Sequence, residues 1–172
     1  MGKPFLANAG DWTRLRRGAS MSLAEFALAD DAATRALGER LAGALKPGDV
    51  VRLEGDLGAG KSTLARGVIA RAAGVGEAPS PTFTLVETYE TPDFLLWHFD
   101  LYRLEKAEDV WELGLEEALD GGVLLIEWPE RVGGMLPADA LTVRLEIAGA
   151  GRRALIGGGE SWRARLAAAG IA

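Results

Sequence analysis

The chain is 172 residues long, 48% apolar and 26% charged, enough for one well-buried core of an ordinary globular protein and short for two. A formal charge of −6 argues against a broad nucleic-acid-binding face, DNA included, since phosphate neutralisation needs clustered Lys and Arg. Cysteine is absent, which excludes disulfides, thiolate metal sites and a cysteine nucleophile and fits the reducing cytoplasm, and no apolar run approaches the roughly 18 residues of a membrane span.

Residues 1–20 carry Lys3, Arg14, Arg16 and Arg17 against Asp11 alone, with no apolar stretch of the kind a secretory signal needs. They read as a disordered or artefactual leader, with residues 21–172 as a single domain whose translation starts at Met21. "LAEFALA" predicts a short edge strand. "DDAATRALGERLAGALKPG" predicts a helix, with Asp30 capping its first N–H groups, Leu37, Leu41 and Leu45 on one face, and Pro47 and Gly48 stopping it. "DVVRLEG" is a buried strand, and "STLARGVIARAAG" a helix with Leu64, Val68, Ile69 and Ala72 on its apolar face and Gly74 at its end.

"SPTFTLVETYE" starts as a loop pinned by Pro79 and Pro81 and becomes a strand; "TPD" turns the chain into the strand "FLLWHFDLY". "EKAEDVWELGLEEALDGG" reads as one helix, with Val110, Trp111, Leu115 and Leu119 near helical spacing. "GGVLLIEWPE" is a central strand. "LTVRLEIAG" and "RRALIGG" form a hairpin, and "SWRARLAAAG" a last helix. Strands alternating with helices predict an α/β layer fold, and the hairpins make its sheet mixed.

Gly55-x-x-x-x-Gly60-Lys61-Ser62 has the full Walker A spacing between a strand and a helix. Glycines let the backbone of Gly55, Asp56, Leu57, Gly58, Ala59 and Gly60 turn successive N–H groups toward an anion, and the following helix adds its positive N-terminus. Lys61 neutralises β- and γ-phosphate charge, the Ser62 hydroxyl takes one place on Mg²⁺, and Thr63 adds a phosphate contact. The alternative is a glycine-rich turn with an incidental lysine; the flanking strand and helix favour a nucleoside triphosphate.

Such a loop needs a carboxylate at a strand end to complete the metal's shell. "LLWHFD" delivers Asp100 and "VLLIE" delivers Glu127, and pattern alone does not separate them. Thr82 and Thr84 sit where a loop can sense the γ-phosphate, although Ser-Pro-Thr is also ordinary turn chemistry. His98 reads as a hydrogen-bonded structural histidine, and Trp97, Trp111 and Trp128 as core or interface residues. Asn8 is the only asparagine, so no guanine-reading Asn-Lys-x-Asp motif exists. Arg103, Arg131, Arg152 and Arg153 are too scattered to announce a kinase lid, and no arginine finger is evident beside the loop.

In order and at short spacings, "GDLGAGKST", "SPTFTLVETY", "HFDLYRL" and "IEWPER" closely resemble the TsaE (YjeE) family, small P-loop ATPases of bacterial tRNA threonylcarbamoyladenosine synthesis, over roughly residues 26–155. The resemblance implies a three-layer α/β/α P-loop NTPase fold with a mixed central sheet. It implies ATP with Mg²⁺ held by Ser62 and Glu127, with Asp100 as an active-site acid orienting water, and Lys61, Asp100 and Glu127 as the catalytic set. Ser80 and Thr82 of "SPTFT" match a switch-like loop, and Asp31 and Gly151 fall where the family binds the adenine side. It further implies partners TsaD and TsaB, which transfer the threonylcarbamoyl group to adenosine 37 of tRNAs that read codons starting with A, so that tRNA is met only through the complex. Ser62 departs from the threonine of many relatives, and either hydroxyl can ligate magnesium; the basic leader has no counterpart. The competing readings are a small-molecule P-loop kinase and an ATP-responsive binding module without essential hydrolysis.

Overall fold

The structure, a computed structural model, describes residues 21–172. The expected leader lies outside the described residues. In chain order the elements are β1 (Met21–Leu28), α1 (Asp31–Ala42), β2 (Val50–Glu54), α2 (Lys61–Ala73), β3 (Val86–Glu90), β4 (Leu95–Asp100), α3 (Leu115–Leu119), β5 (Val123–Glu127), β6 (Leu141–Ala148), β7 (Gly151–Gly158) and α4 (Glu160–Ala168).

The seven strands form one sheet in the order β1-β7-β6-β2-β5-β4-β3. β4, β5, β2 and β6 run parallel, while β3, β7 and β1 pair antiparallel, which gives the mixed sheet expected from the hairpins. Alternation along each strand sends side chains to opposite faces. Val51, Leu53, Val123, Leu125 and Leu96 meet Leu37, Leu41, Leu64 and Val68 of α1 and α2 and Trp162 and Leu166 of α4. On the other face Val50, Leu124, Ile126, Trp97 and Phe99 pack with Val110, Leu115 and Ala118. Helices therefore cover both faces, as in the three-layer P-loop architecture. Among the described residues no helix is long and apolar enough to cross a membrane.

Asp30 caps α1, its carboxylate accepting the Ala33 N–H at 2.8 Å. The expected single helix over "EKAEDVWELGLEEALDGG" is instead a 3-10 turn (Ala107–Trp111) and the short α3. Gly114 separates them at φ 91°, and a Cβ there would come within 3.1 Å of the Trp97 ring, so the chain turns at the residue that lets the indole in. Trp111, expected in a core or at an interface, is exposed and so lies outside the core.

α1 and α2 touch backbone to backbone. A Cβ on Gly38 would stand 2.2 Å from the Leu64 carbonyl oxygen, and one on Gly67 2.2 Å from that of Arg35. This contact sets where the first turn of α2 lies relative to the start of α1. Gly67→Ala is expected to destabilise the protein by about 2 kcal/mol through overpacking, measured by urea unfolding. Helix propensity alone predicts the opposite sign, a gain of about 1 kcal/mol, so the direction of the shift decides between the two.

Candidate functional site

β2 is fully inside the sheet, and the chain leaves it through Gly55 (φ 145°), Gly58 (φ 79°) and Gly60 (φ 106°), conformations that glycine adopts without a Cβ clash. The bend closes on itself through the Ala59 N–H, which donates to Asp56 O at 3.0 Å, and α2 starts at Lys61. The Lys61 ammonium donates to Gly55 O and to Asp56 O (2.9 Å) and lies 4.0 Å from the centre of the Trp128 ring. Burial lowers its pKa from the ordinary lysine value, an effect opposed by the charges of Glu127, Glu130, Asp100 and Asp56.

The acids come from neighbouring strands. In the parallel pairing of β4 with β5, Asp100 and Glu127 are register partners, so both candidates arrive side by side. The Ser62 hydroxyl, one residue into α2, lies 3.0 Å from each Glu127 carboxylate oxygen. His98, on the same face of β4 as Asp100, is fully buried and places Nε2 2.8 Å from Glu127 Oε1, the hydrogen-bonded histidine that the strand pattern suggested. A hydroxyl and a carboxylate are hard oxygen donors. They suit Mg²⁺, which keeps several waters and takes one or two protein oxygens plus phosphates, and no cage of three or more His, Asp or Glu occurs among the described residues.

Asp100 is gripped from the other side. Thr82 Oγ1 donates to Asp100 Oδ2 at 3.3 Å, Ser80 Oγ lies 3.5 Å from the same oxygen, and the two hydroxyls are 3.0 Å apart. The Tyr102 N–H donates to Oδ1 at 3.2 Å. Thr84 points elsewhere, to Glu87. Phe83, between the two threonines, is largely exposed, with the Arg103 guanidinium over its ring.

One cleft joins these groups. Asp31, Leu57, Gly58, Gly60, Lys61, Ser62, Thr63, Thr82, Asp100 and Glu127 line it, all expected from the sequence. Gly55 and Asp56 stand behind Lys61, Ala59 is buried, and Ser80 reaches the cleft only through Asp100. Gly151 does not line the cleft; it packs against the Leu28 carbonyl, where a Cβ would come within 2.4 Å. Its neighbour Arg152 does line it, and Arg152 Nη2 donates to Gly58 O at 3.0 Å. An arginine therefore does reach the loop, contrary to the expectation from the scattered arginines, because β7 returns beside β6 and carries Arg152 across a gap of 94 residues. Trp128, expected in a core or an interface, packs against the core and also covers Lys61, and Tyr102 completes the wall. Only the sheet order could have pointed to Arg152, and only the left-handed backbone after "IE" to Trp128.

The family model described as "Threonylcarbamoyl adenosine biosynthesis protein TsaE" matches residues 28–155. The chain is 46% identical over 115 residues to the tRNA threonylcarbamoyladenosine biosynthesis protein TsaE of Rickettsia felis, covering 66% of this chain and 67% of that one. It is 41% identical over 118 residues to the Bacillus subtilis protein of the same description, covering 67% and 73%. The crystal structure of Bacillus subtilis YdiB matches with a TM-score of 0.72 at 28% identity, over 90% of this chain and 97% of that one.

The Lys61 shift has a measurable sign. Below 10.5, in the window between the lowered folded value and the ordinary one, the unfolded chain holds this proton and the folded chain does not. The group's contribution to folding stability therefore grows as pH rises through that window. Anion binding runs the other way, because it needs the ammonium. Tripolyphosphate affinity, measured by calorimetry, is expected to fall by up to about tenfold per pH unit once Lys61 has titrated, with the fall starting below 10.5. A Lys61→Met variant is expected to bind weakly and lack that step; an identical pH profile in the variant would remove Lys61 from the anion site.

Proposed function

Because the chain belongs to the TsaE family, we propose that it is the ATP-binding and hydrolysing component of the tRNA threonylcarbamoyladenosine machinery, slow alone and acting in the cytoplasm with TsaB and TsaD. The observation that carries the catalytic part is the meeting of Ser62 and Glu127 beside Lys61, at the open end of a glycine bend with Walker A spacing.

In this reading the loop N–H groups and the N-terminus of α2 cradle the phosphates. Lys61 exchanges the carbonyls of Gly55 and Asp56 for phosphate oxygens and offsets charge developing on the γ-phosphoryl group. Ser62 and Glu127 hold Mg²⁺, which supplies further neutralisation of the phosphate charge. Asp100 orients the attacking water, and Thr82, bonded to it, couples the switch-like loop to the state of the nucleotide. Asp31, which lines the same cleft, is assigned to the nucleoside end, while Arg152, bonded to Gly58 O, stands against the glycine loop.

The way these groups are engaged supports slow turnover alone. Asp100 already accepts from Thr82 and from the Tyr102 N–H, and Arg152 is bonded to Gly58 O. A partner that reorders the switch-like loop would release Asp100 for water. The net charge of −6 supports meeting tRNA through TsaB and TsaD rather than directly.

The test is ATP turnover by the purified chain with Mg²⁺, with and without the TsaB–TsaD pair. Marked stimulation by the pair is expected, and Lys61→Ala is expected to lower the stimulated rate by at least about 10²–10³-fold, the size seen when one preorganised hydrogen-bond donor to a developing charge is removed. Asp100→Asn and Glu127→Gln are expected to bind the pair yet show no stimulated turnover. Turnover indifferent to the pair, or full turnover in either acid variant, would overturn the assignment.

A further inference from the structure

We propose that His98 is a positioning residue that aims the Glu127 carboxylate at the cation beside the glycine loop. The proposal rests on the reading just given and adds to it a residue that touches neither nucleotide nor metal.

His98 lies in the middle of β4 with none of its surface exposed, and its only polar partner among the described residues is Glu127. Its Nδ1 is buried without a partner. An imidazole placed for stability alone would satisfy both nitrogens or give way to an apolar side chain, as Leu96 does two residues earlier on the same face. The tautomer that uses the one available acceptor carries its proton on Nε2 and donates it to Glu127 Oε1.

That donation fixes a torsion which is otherwise loose. The terminal torsion of a glutamate is broad, so a carboxylate held at one end only can turn. Glu127 has two charged neighbours to respond to, Asp100 abreast in the register and Lys61 on α2. With Oε1 tied to His98, the carboxylate plane is set; the Ser62 hydroxyl lies 3.0 Å from both oxygens, and Oε2 is the one without the imidazole as a partner. Oε2 is therefore the oxygen left free to share a metal ion with that hydroxyl. An outer partner of this kind typically changes metal affinity by about 10–100-fold when removed.

The experiment titrates Mg²⁺ into the full chain holding the non-hydrolysable ATP analogue AMP-PNP, with binding read by calorimetry. Wild type is compared with His98→Leu, His98→Gln and His98→Asn. The glutamine amide reaches the position of Nε2, whereas the asparagine amide reaches only that of Nδ1. His98→Leu and His98→Asn are expected to need at least about tenfold more Mg²⁺ for half-saturation, with AMP-PNP affinity in the absence of metal unchanged. His98→Gln is expected to stay within about twofold of wild type. Should the leucine variant fail to fold, the difference between Gln and Asn carries the test. An unchanged Mg²⁺ requirement in His98→Leu, equal behaviour of Gln and Asn, or a parallel loss of metal-free affinity overturns the proposal while leaving the parent reading intact. A wild-type chain that gains nothing from Mg²⁺ overturns the parent reading, and this proposal with it.

Discussion

The site depends on one row of the sheet. Asp100, Glu127 and Leu53 are register partners across β4, β5 and β2, three strands that run parallel and finish at the same edge. Strand spacing of roughly 4.8 Å sets the two carboxylates abreast, and the glycine bend begins two residues after Leu53. α2 returns from that bend over the same row, which brings Ser62 onto Glu127. Ligand sites of open α/β sheets form at the carboxyl ends of parallel strands for this reason: there the side chains of several strands and the start of a helix converge without any loop having to reach. The antiparallel strands at either edge extend the sheet without disturbing the row.

Burial makes the row expensive to assemble. Lys61, His98, Asp100 and Glu127 are each no more than 5% exposed, and two of them are carboxylates in adjacent positions. Each is offset locally: Glu127 by a hydroxyl and an imidazole, Asp100 by hydroxyls and a backbone N–H, Lys61 by two carbonyls and an indole face. What remains is balanced by the apolar layers on both sides of the sheet, where Val51, Leu53, Leu125 and Phe99 are fully covered. The Gly38 and Gly67 contacts belong to the same balance, since they let α1 brace α2 at backbone distance and hold Ser62 over the row.

The sequence was most legible where a local rule decides the outcome. Asp30 capped its helix, Gly74 ended α2, the apolar runs became buried strands, and the Walker A spacing became a bend between β2 and α2. It misled where tertiary contact overrode spacing: the apparent periodicity of Val110, Trp111, Leu115 and Leu119 runs through Gly114, whose positive φ and contact with Trp97 break the helix. The choice between Asp100 and Glu127 stayed open because both end apolar runs. Their side-chain partners differ, Ser62 of α2 meeting Glu127 and Thr82 meeting Asp100. Arg152 was invisible as a cleft residue because its approach to Gly58 depends on strand order, which periodicity does not encode.

Both acids are also held by backbone under strain. Among the described residues only two non-glycines have positive φ, Leu85 at 65° and Trp128 at 59°, and each is tied to one acid. The Asp100 N–H donates to Leu85 O at 2.9 Å, and Trp128 directly follows Glu127. A bulky residue in the left-handed region costs on the order of 1–3 kcal/mol and persists only where its surroundings over-determine it. Leu85 is locked by its own N–H to Pro81 O at 2.7 Å. Trp128 is held by a ring that lies against the Lys61 ammonium, at 4.0 Å, and the Tyr102 ring, at 5.0 Å. The two strained residues sit where the loop carrying Ser80 and Thr82 enters β3 and where the chain leaves β5. Relaxing Leu85 therefore disturbs the carbonyl that receives the Asp100 N–H, and relaxing the Trp128 backbone shifts the residue next to Glu127.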